Sequence, residues 1–525
     1  MWNKLIRSRS ITAQAMQSDS LEWPKQEESN CNSTPGYDME DNLCRAGFLG
    51  RTTLLLSRCG IETHGVAPVP AEERLETRWY QMFFVWFSAS MNILGFSIGT
   101  AGPAFFALGV RDSITIIVIV NLTTCLFPAF SAVFGPKLGM RAVVQARFSF
   151  GYFGAIIPAV LNVLSLEGFL ILNCIVGGQT IASLSPRLDD TLGIVIVGII
   201  TLVVTFCGYR VIHWYESVAW IPNVIAFITM LAVGYPQLRE NLSAPVPPAT
   251  TANVISFTSL LTSGMISWCT MTPDYGVYHS PDASSTRIFI YSYLGFFVSN
   301  VASQALGAAF AAAAPNVPAW NAGFDSSSVG GLVYSVLLPT GTFGKILTAL
   351  VALSIPSCCA PIMYTFINSF MAIATRFAAV PRWVYILISE GILIPVAIIG
   401  AKKFYTTCVD IVDIIGYWSS AFAAIIFTEH VLFRRASFSE DQYPIATWAS
   451  YDLLPSSIPA VVAFVCACGA LVPFMSQGLY VGPVARQGTG DLGVFVAFVV
   501  GAIVYALMRG FEKMWYKKTS KSGAY

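Results

Sequence analysis

The chain has 525 residues, of which 55% are hydrophobic and only 11% charged, with a formal net charge of +1. Soluble domains carry roughly 25% charged residues, so a composition this poor in charge, with a mean hydropathy of +0.64, excludes a water-soluble globular fold. Basic residues are spread along the chain without forming a stripe, so neither nucleic acid nor another polyanion is implied as a partner.

The first ~75 residues are polar and rich in Ser, Glu and Asn, and no apolar h-region follows Met1-Trp2-Asn3-Lys4. They are expected to form an uncleaved cytoplasmic tail. Apolar segments then fall at 82–108, 113–134, 153–182, 191–208, 214–234, 254–278, 288–314, 341–374, 383–400, 408–432, 456–476 and 492–509. Most have the ~20 residues that cross ~30 Å of hydrocarbon, so the sequence predicts an all-α polytopic membrane protein with twelve transmembrane helices.

Cytoplasmic loops keep an excess of Lys and Arg. If the N-terminus lies inside, 23 of the 30 Lys and Arg residues fall on the inner side and six in outer loops. Both termini are therefore expected in the cytoplasm. That orientation puts Asn241-Leu242-Ser243, a glycosylation sequon, outside.

Two segments are interrupted where a plain anchor would carry Leu. The first reads Asn92-Ile93-Leu94-Gly95 and continues to Gly99-Thr100-Ala101-Gly102-Pro103; the sixth reads Ser263-Gly264, Trp268 and then Pro273-Asp274-Tyr275. Gly and Pro at these places suit either broken helices that free backbone groups to bind a solute, or close helix packing. The two lie five helices apart, as inverted repeats would place them.

On the third segment, Asn162, Phe169, Asn173 and Thr180 fall within ~40° of one another at 100° per residue. Polar groups facing lipid are costly, so this stripe is expected to face the interior, as interhelical glue or as a binding wall. An aromatic ring between two amides suits a flat heterocycle. Glu167 lies on the same helix but ~160° away from Phe169. A carboxyl there is either a neutral helix contact or a proton carrier. Glu216, at the start of the fifth segment beside Trp214 and Tyr215, is either a coupling residue or a helix cap.

The twelve cysteines include no CxxC pair, and most sit singly in apolar blocks as packing residues. The four histidines, His64, His213, His279 and His430, are dispersed. No HExxH, GxSxG or P-loop is present, so no enzymatic site, metal or cofactor is read from the chain.

Several stretches together resemble the purine-cytosine permease family, the nucleobase-cation symporters, and most closely its fungal branch. They include Trp86-Phe87-Ser88-Ala89-Ser90-Met91-Asn92, Gly135-Pro136-Lys137-Leu138-Gly139-Met140-Arg141, Gln145-Ala146-Arg147-Phe148, Gly177-Gly178-Gln179, Trp214-Tyr215-Glu216, Asp274-Tyr275-Gly276 and Ile415-Gly416-Tyr417-Trp418. The resemblance spans roughly Glu73 to Arg509.

It implies a leucine-transporter-type architecture: a 5+5 inverted repeat over 79–432, two additional C-terminal helices within 433–509, and cytoplasmic tails at 1–78 and 510–525. It further implies a plasma-membrane carrier that imports a nucleobase, or a similar planar heterocycle, by proton symport. Carried over by motif are Phe169 and Asn173 on the third helix, Trp268 on the sixth and Glu216 on the fifth. Phe169 and Trp268 are expected to sandwich the ring, Asn173 and, from its place in the broken first helix, Asn92 to orient it, and Glu216 to serve coupling, with Glu167 a second coupling candidate from its own position. In the eighth segment Cys358 stands where relatives place an Asn, and a thiol cannot replace an amide that both donates and accepts strongly. Ala352 and Leu353 stand where sodium-coupled relatives supply hydroxyls, which favours protons over sodium. Alternatives are a carrier of another heterocycle, such as vitamin B6, an allantoin-like compound or a pathway metabolite, and a non-transporting nutrient receptor. The sequence carries no reading of oligomeric state.

Overall fold

Backbone in hydrocarbon must satisfy its own hydrogen bonds, and the recurring apolar stretches accordingly become helices. The computed structural model describes residues 66–206, 209–241, 248–378 and 380–521, all within one compact unit. In chain order the helices are α1 (Gln81–Ser90), α2 (Ile93–Ala104), α3 (Val110–Leu138), α4 (Ile156–Ala182), α5 (Asp190–Phe206), α6 (Tyr209–Asn241) and α7 (Thr251–Ile266). Then come α8 (Ser285–Ala313), α9 (Pro318–Leu337), α10 (Thr342–Ile373), α11 (Arg382–Ala401), α12 (Phe404–Thr428), α13 (Ile458–Leu471) and α14 (Gly493–Lys521).

Among the described residues, eight of these helices are long and apolar enough to cross a membrane, or nine when the bent α1–α2 pair is taken as one span. Helices α5 and α13 are apolar but shorter. The distribution of polarity inverts that of a soluble protein. Ile119, Ile228, Ile399 and Val499 are all more than half exposed, whereas Asn121, Asn162, Ser259 and Asn368 are buried. Only a hydrocarbon solvent makes that arrangement favourable.

The first span breaks where the sequence places Met91-Asn92. Met91 (φ −82°, ψ 65°) and Asn92 (φ −138°, ψ 174°) leave the helical region, and α1 and α2 meet at 53°. Helix α2 lies against α8 with backbone touching backbone. A Cβ at Gly99 would stand 2.0 Å from the Gln304 carbonyl oxygen, and one at Gly307 would stand 2.0 Å from that of Phe96. Helix α7 loses its α-helical winding after Ile266 and passes into two 3-10 turns, Ser267–Thr270 and Thr272–Tyr275.

Helix α9 lies where the sequence offers no apolar segment. Its two halves fold back at Ser327 and Ser328 (φ 50°), and a Cβ on Gly331 would stand 2.0 Å from the Gly323 carbonyl oxygen. Small residues make this hairpin possible and also erase the hydropathy signal.

The largest apolar core joins α2 to α12, and a second gathers α13 and α14 against α12 and the residues around Phe134 and Phe150. The chain just before α1 is docked rather than trailing. Val69 N donates to Gly139 O (2.9 Å), Arg74 Nη1 to Pro136 O (3.1 Å) and Glu76 N to Tyr278 O (3.1 Å). Such main-chain bonds leave no imprint on hydropathy, and this stretch falls inside the segment that composition assigns to a tail.

Candidate functional site

A break in a spanning helix strands backbone groups, and here α6 and α10 meet them. Asn92 caps α2 by accepting from Gly95 N (2.8 Å) and donates to Ala89 O (2.7 Å). Asn223 of α6 donates to Met91 O (2.9 Å), and Ser354 of α10 donates to Asn223 Oδ1 (3.0 Å). The Asn92 amide also reaches Cys358 Sγ at 3.5 Å, and the thiol in turn donates to Ala89 O at 3.7 Å. One polar thread therefore ties α1, α2, α6 and α10 together at the break.

Beside this thread lies a cavity of about 360 Å³, within the ~300–1,000 Å³ typical of small-molecule sites. It runs along α1 from Ala89 to Gln81, toward the end of the bundle that carries the docked N-terminal segment. Trp220, Trp268 and Tyr275 provide aromatic wall, while Ser88, Ser357 and Cys358 provide small polar groups. Among the described residues, none of those lining it is Asp, Glu, Lys or Arg. Trp268 is held edge-on to Trp86 (centroids 5.8 Å) and tilted against Phe296 (5.6 Å), so its orientation is fixed by packing. A neutral flat ring finds faces to stack on, each worth about 0.5–1.5 kcal/mol beyond area burial, and no charge to desolvate.

Of the residues expected at the site, Trp268 and Cys358 line this cavity and Asn92 bonds to Cys358. Phe169 and Asn173 lie off its wall on α4. Phe169 is half-buried and packs against the core. Asn173 is fully buried; its amide donates to Phe169 O (2.9 Å), and its Oδ1 has no hydrogen-bond partner. The α4 stripe faces the interior, with Asn162 donating to Ser369 Oγ of α10 (2.9 Å). Glu167 is buried, and Ser389 of α11 donates to its Oε2 at 2.6 Å. Glu216 belongs to α6, but its side chain lies outside the described residues.

Two residues at the site escaped the sequence reading. Trp220 is one aromatic among many, with no periodic partner. Asn223 did carry a signal, being a lone amide in an apolar span directly after Pro222.

A broken helix, an adjacent neutral cavity and apolar outer faces together define a membrane carrier of small solutes. The family described as "Permease for cytosine/purines, uracil, thiamine, allantoin" matches residues 68–501, and the chain belongs to that family. It is therefore a secondary transporter and not an enzyme. The purine-cytosine permease fcyB of Emericella nidulans is 32% identical over 461 residues, covering 87% of this chain and 90% of the relative. The vitamin B6 transporter TPN1 of Saccharomyces cerevisiae is 24% identical over 535 residues, covering 92% of each. The fold is also that of Mhp1, a nucleobase-cation-symport-1 family transporter solved in a closed conformation with bromovinylhydantoin bound. That match has a TM-score of 0.64 at 17% identity and covers 85% of this chain and 95% of Mhp1. Among the described residues no group of His, Cys, Asp and Glu is placed to hold a metal ion.

Proposed function

We propose that the protein imports a neutral planar heterocycle of the nucleobase type across the plasma membrane, driven by a proton. The observation that carries this reading is the uncharged, aromatic-walled cavity at the break between α1 and α2. Trp268 and Trp220 stack the ring, and Cys358, positioned by Asn92, sets which edge is accepted. Phe169 and Asn173 join the site when α4 closes on the cavity. The unpartnered Asn173 Oδ1 supports this, because a buried acceptor without a donor costs about 1–3 kcal/mol and a ring N–H would relieve it. Glu216 and Glu167 serve coupling.

The same reading takes the twelve apolar segments as twelve spans, with α5, α7 and α13 among them. The spans divide into a 5+5 inverted repeat within 79–432 and two further helices within 433–509. Both termini are cytoplasmic, with the segments 1–78 and 510–525 on that side, so the cavity opens inward. Proton coupling is favoured over sodium by Ala352 and Leu353, which bring no hydroxyl, and by Asn223 and Ser354, which already satisfy Met91 O at the break.

A second reading changes only the cargo. Cys358 replaces a strong amide, and a vitamin B6 transporter is 24% identical over 92% of the chain, which together support vitamin B6 as the alternative cargo. The deciding experiment is uptake of labelled purines, pyrimidines and vitamin B6 by cells lacking their own carriers, with and without a protonophore. Nucleobase uptake abolished by the protonophore is expected. Uptake of vitamin B6 alone selects the second reading, and saturable binding without counterflow in vesicles rejects transport of either.

A further inference from the structure

Away from the cavity, two carboxyl groups are buried on packed helices inside the bundle. Glu167 projects from the middle of α4 and Glu390 from the middle of α11, with relative exposures of 8% and 5%. The two helices pack against each other, and Ser389, the residue before Glu390, reaches the Glu167 carboxylate. Ser389 donates to Glu167 Oε2, but Glu167 Oε1 and both oxygens of Glu390 have no hydrogen-bond partner. Neither carboxyl forms an ion pair with Lys, Arg or His among the described residues.

The groups facing the pair are almost all neutral. Helix α4 brings Cys174, α10 brings Cys359, and α5 brings Thr201 and Gly198. The acids of α12 are engaged elsewhere. Asp413 accepts from Gln477 Nε2 (3.0 Å) and Asp410 accepts from Gly478 N (2.8 Å), while Cys408 faces Asp413. Two ionised carboxylates on packed helices in this medium need a cation beside them, and among the described residues no Lys, Arg or His forms an ion pair with either. The species that resolves the conflict without entering as a bulky ligand is a proton.

We propose that Glu167 and Glu390 form the binding site of the coupling proton, separate from the substrate cavity. The proposal rests on the reading of the protein as a proton symporter. The step is a simple one: a proton adds to an ionised carboxylate oxygen of the pair, forming an O–H bond, and later leaves the same oxygen for water on the other side. Ser389 is a positioning residue, because it holds Glu167 Oε2 and so directs the proton to the other three oxygens. The two sites communicate through one rigid element. On α10, Cys358 lines the cavity and Cys359 faces Glu390, so loading the cavity and protonating the pair bear on adjacent faces of the same helix.

The test uses the full-length carrier in proteoliposomes with radiolabelled cytosine and an imposed pH gradient, alkaline inside. Wild type accumulates cytosine. Glu390→Gln and Glu167→Gln are expected to lower gradient-driven accumulation at least ten-fold while affecting counterflow far less, and Ser389→Ala is expected to shift the pH midpoint of uptake. If wild type is driven by the gradient and Glu390→Gln is driven equally, the pair is not the site and proton symport still stands. If wild type ignores the gradient, proton symport fails and this proposal fails with it. Infrared titration of the purified carrier gives a readout independent of cargo and of variant uptake. The protonated-carboxyl band should change in both Gln variants, and an unchanged titration overturns the assignment.

Discussion

Cys358 and Cys359 are consecutive residues of α10 that serve different surroundings: the first lines the cavity and accepts from Asn92, and the second, 1% exposed, faces Glu390 and Thr201. A turn of 100° per residue is what separates them. A small methanethiosulfonate reagent should therefore inhibit uptake by modifying Cys358, and substrate should protect against it. Cys358→Ser should abolish the inhibition. Equal inhibition in Cys358→Ser would place the reactive thiol elsewhere.

Asn92 combines a helix cap with a contact to the cavity wall. Asn92→Ala removes the Gly95 bond, at about 1 kcal/mol, and releases Cys358. Uptake should fall at least ten-fold, and the thermal midpoint of the purified carrier should drop by a few degrees. Asn92→Asp keeps the acceptor that caps Gly95 and should restore the midpoint but not the uptake. A midpoint unchanged in Asn92→Ala would show that the cap contributes nothing.

Asn223→Leu preserves bulk but leaves Met91 O and Ser354 without their partner, at about 1–3 kcal/mol for the orphaned carbonyl. Fluorescence size-exclusion after heating should show earlier loss of the monodisperse peak than in wild type. Asn223→Asp, which cannot donate to Met91 O once ionised, should behave similarly near neutral pH.

Asn173→Ala leaves the protein at the cell surface but should weaken uptake at least ten-fold, with the loss expressed mainly as a raised KM. Normal kinetics in this variant would remove Asn173 from the site and leave it as a helix-packing amide.

The docked N-terminal segment is expected to be acid-sensitive. Burial holds the His279 imidazole below its usual 6.5, so it is neutral where it pairs with the Glu76 strand. A base whose folded pKa is lowered takes up a proton more readily once undocked. Its contribution is complete above 6.5 and lost as pH falls below that value. Glu76 runs the other way in chemistry but the same way in outcome. The Arg78 guanidinium holds its carboxyl at about 2, so its contribution is present above about 4.5 and lost only below it. Between pH 7 and 5 the loss of docking should therefore come from His279 and not from Glu76. His279→Gln should reduce the slope of the thermal midpoint over that interval, and a slope identical to wild type would assign the sensitivity to another group.

The spans and the site were legible to different degrees. Hydropathy located the apolar segments, because lipid demands apolar outer faces on every helix. Gly and Pro flagged the neighbourhood of the break at Asn92 and of the unwound end of α7, although the residues that leave the helical region there are Met91, Asn92 and Met271. Trp220 was not legible, because it matters through neighbours brought close by folding and is one aromatic among many; Glu390 was legible as a lone carboxyl in the apolar span 383–400, but not its placement on a helix packed against that of Glu167. The α9 hairpin was hidden because Gly-on-Gly contact needs no hydrophobic run.

The close approach of α2 and α8 at Gly99 and Gly307 has a mechanical consequence. Ridges of side chain can ratchet past one another, but two backbones in direct contact cannot, so α2 and α8 must travel as a single beam. Gly295 of α8 brings the Phe83 carbonyl of α1 nearly as close, so α1 belongs to the same beam, and the path to the cavity opens by movement of the other helices against it.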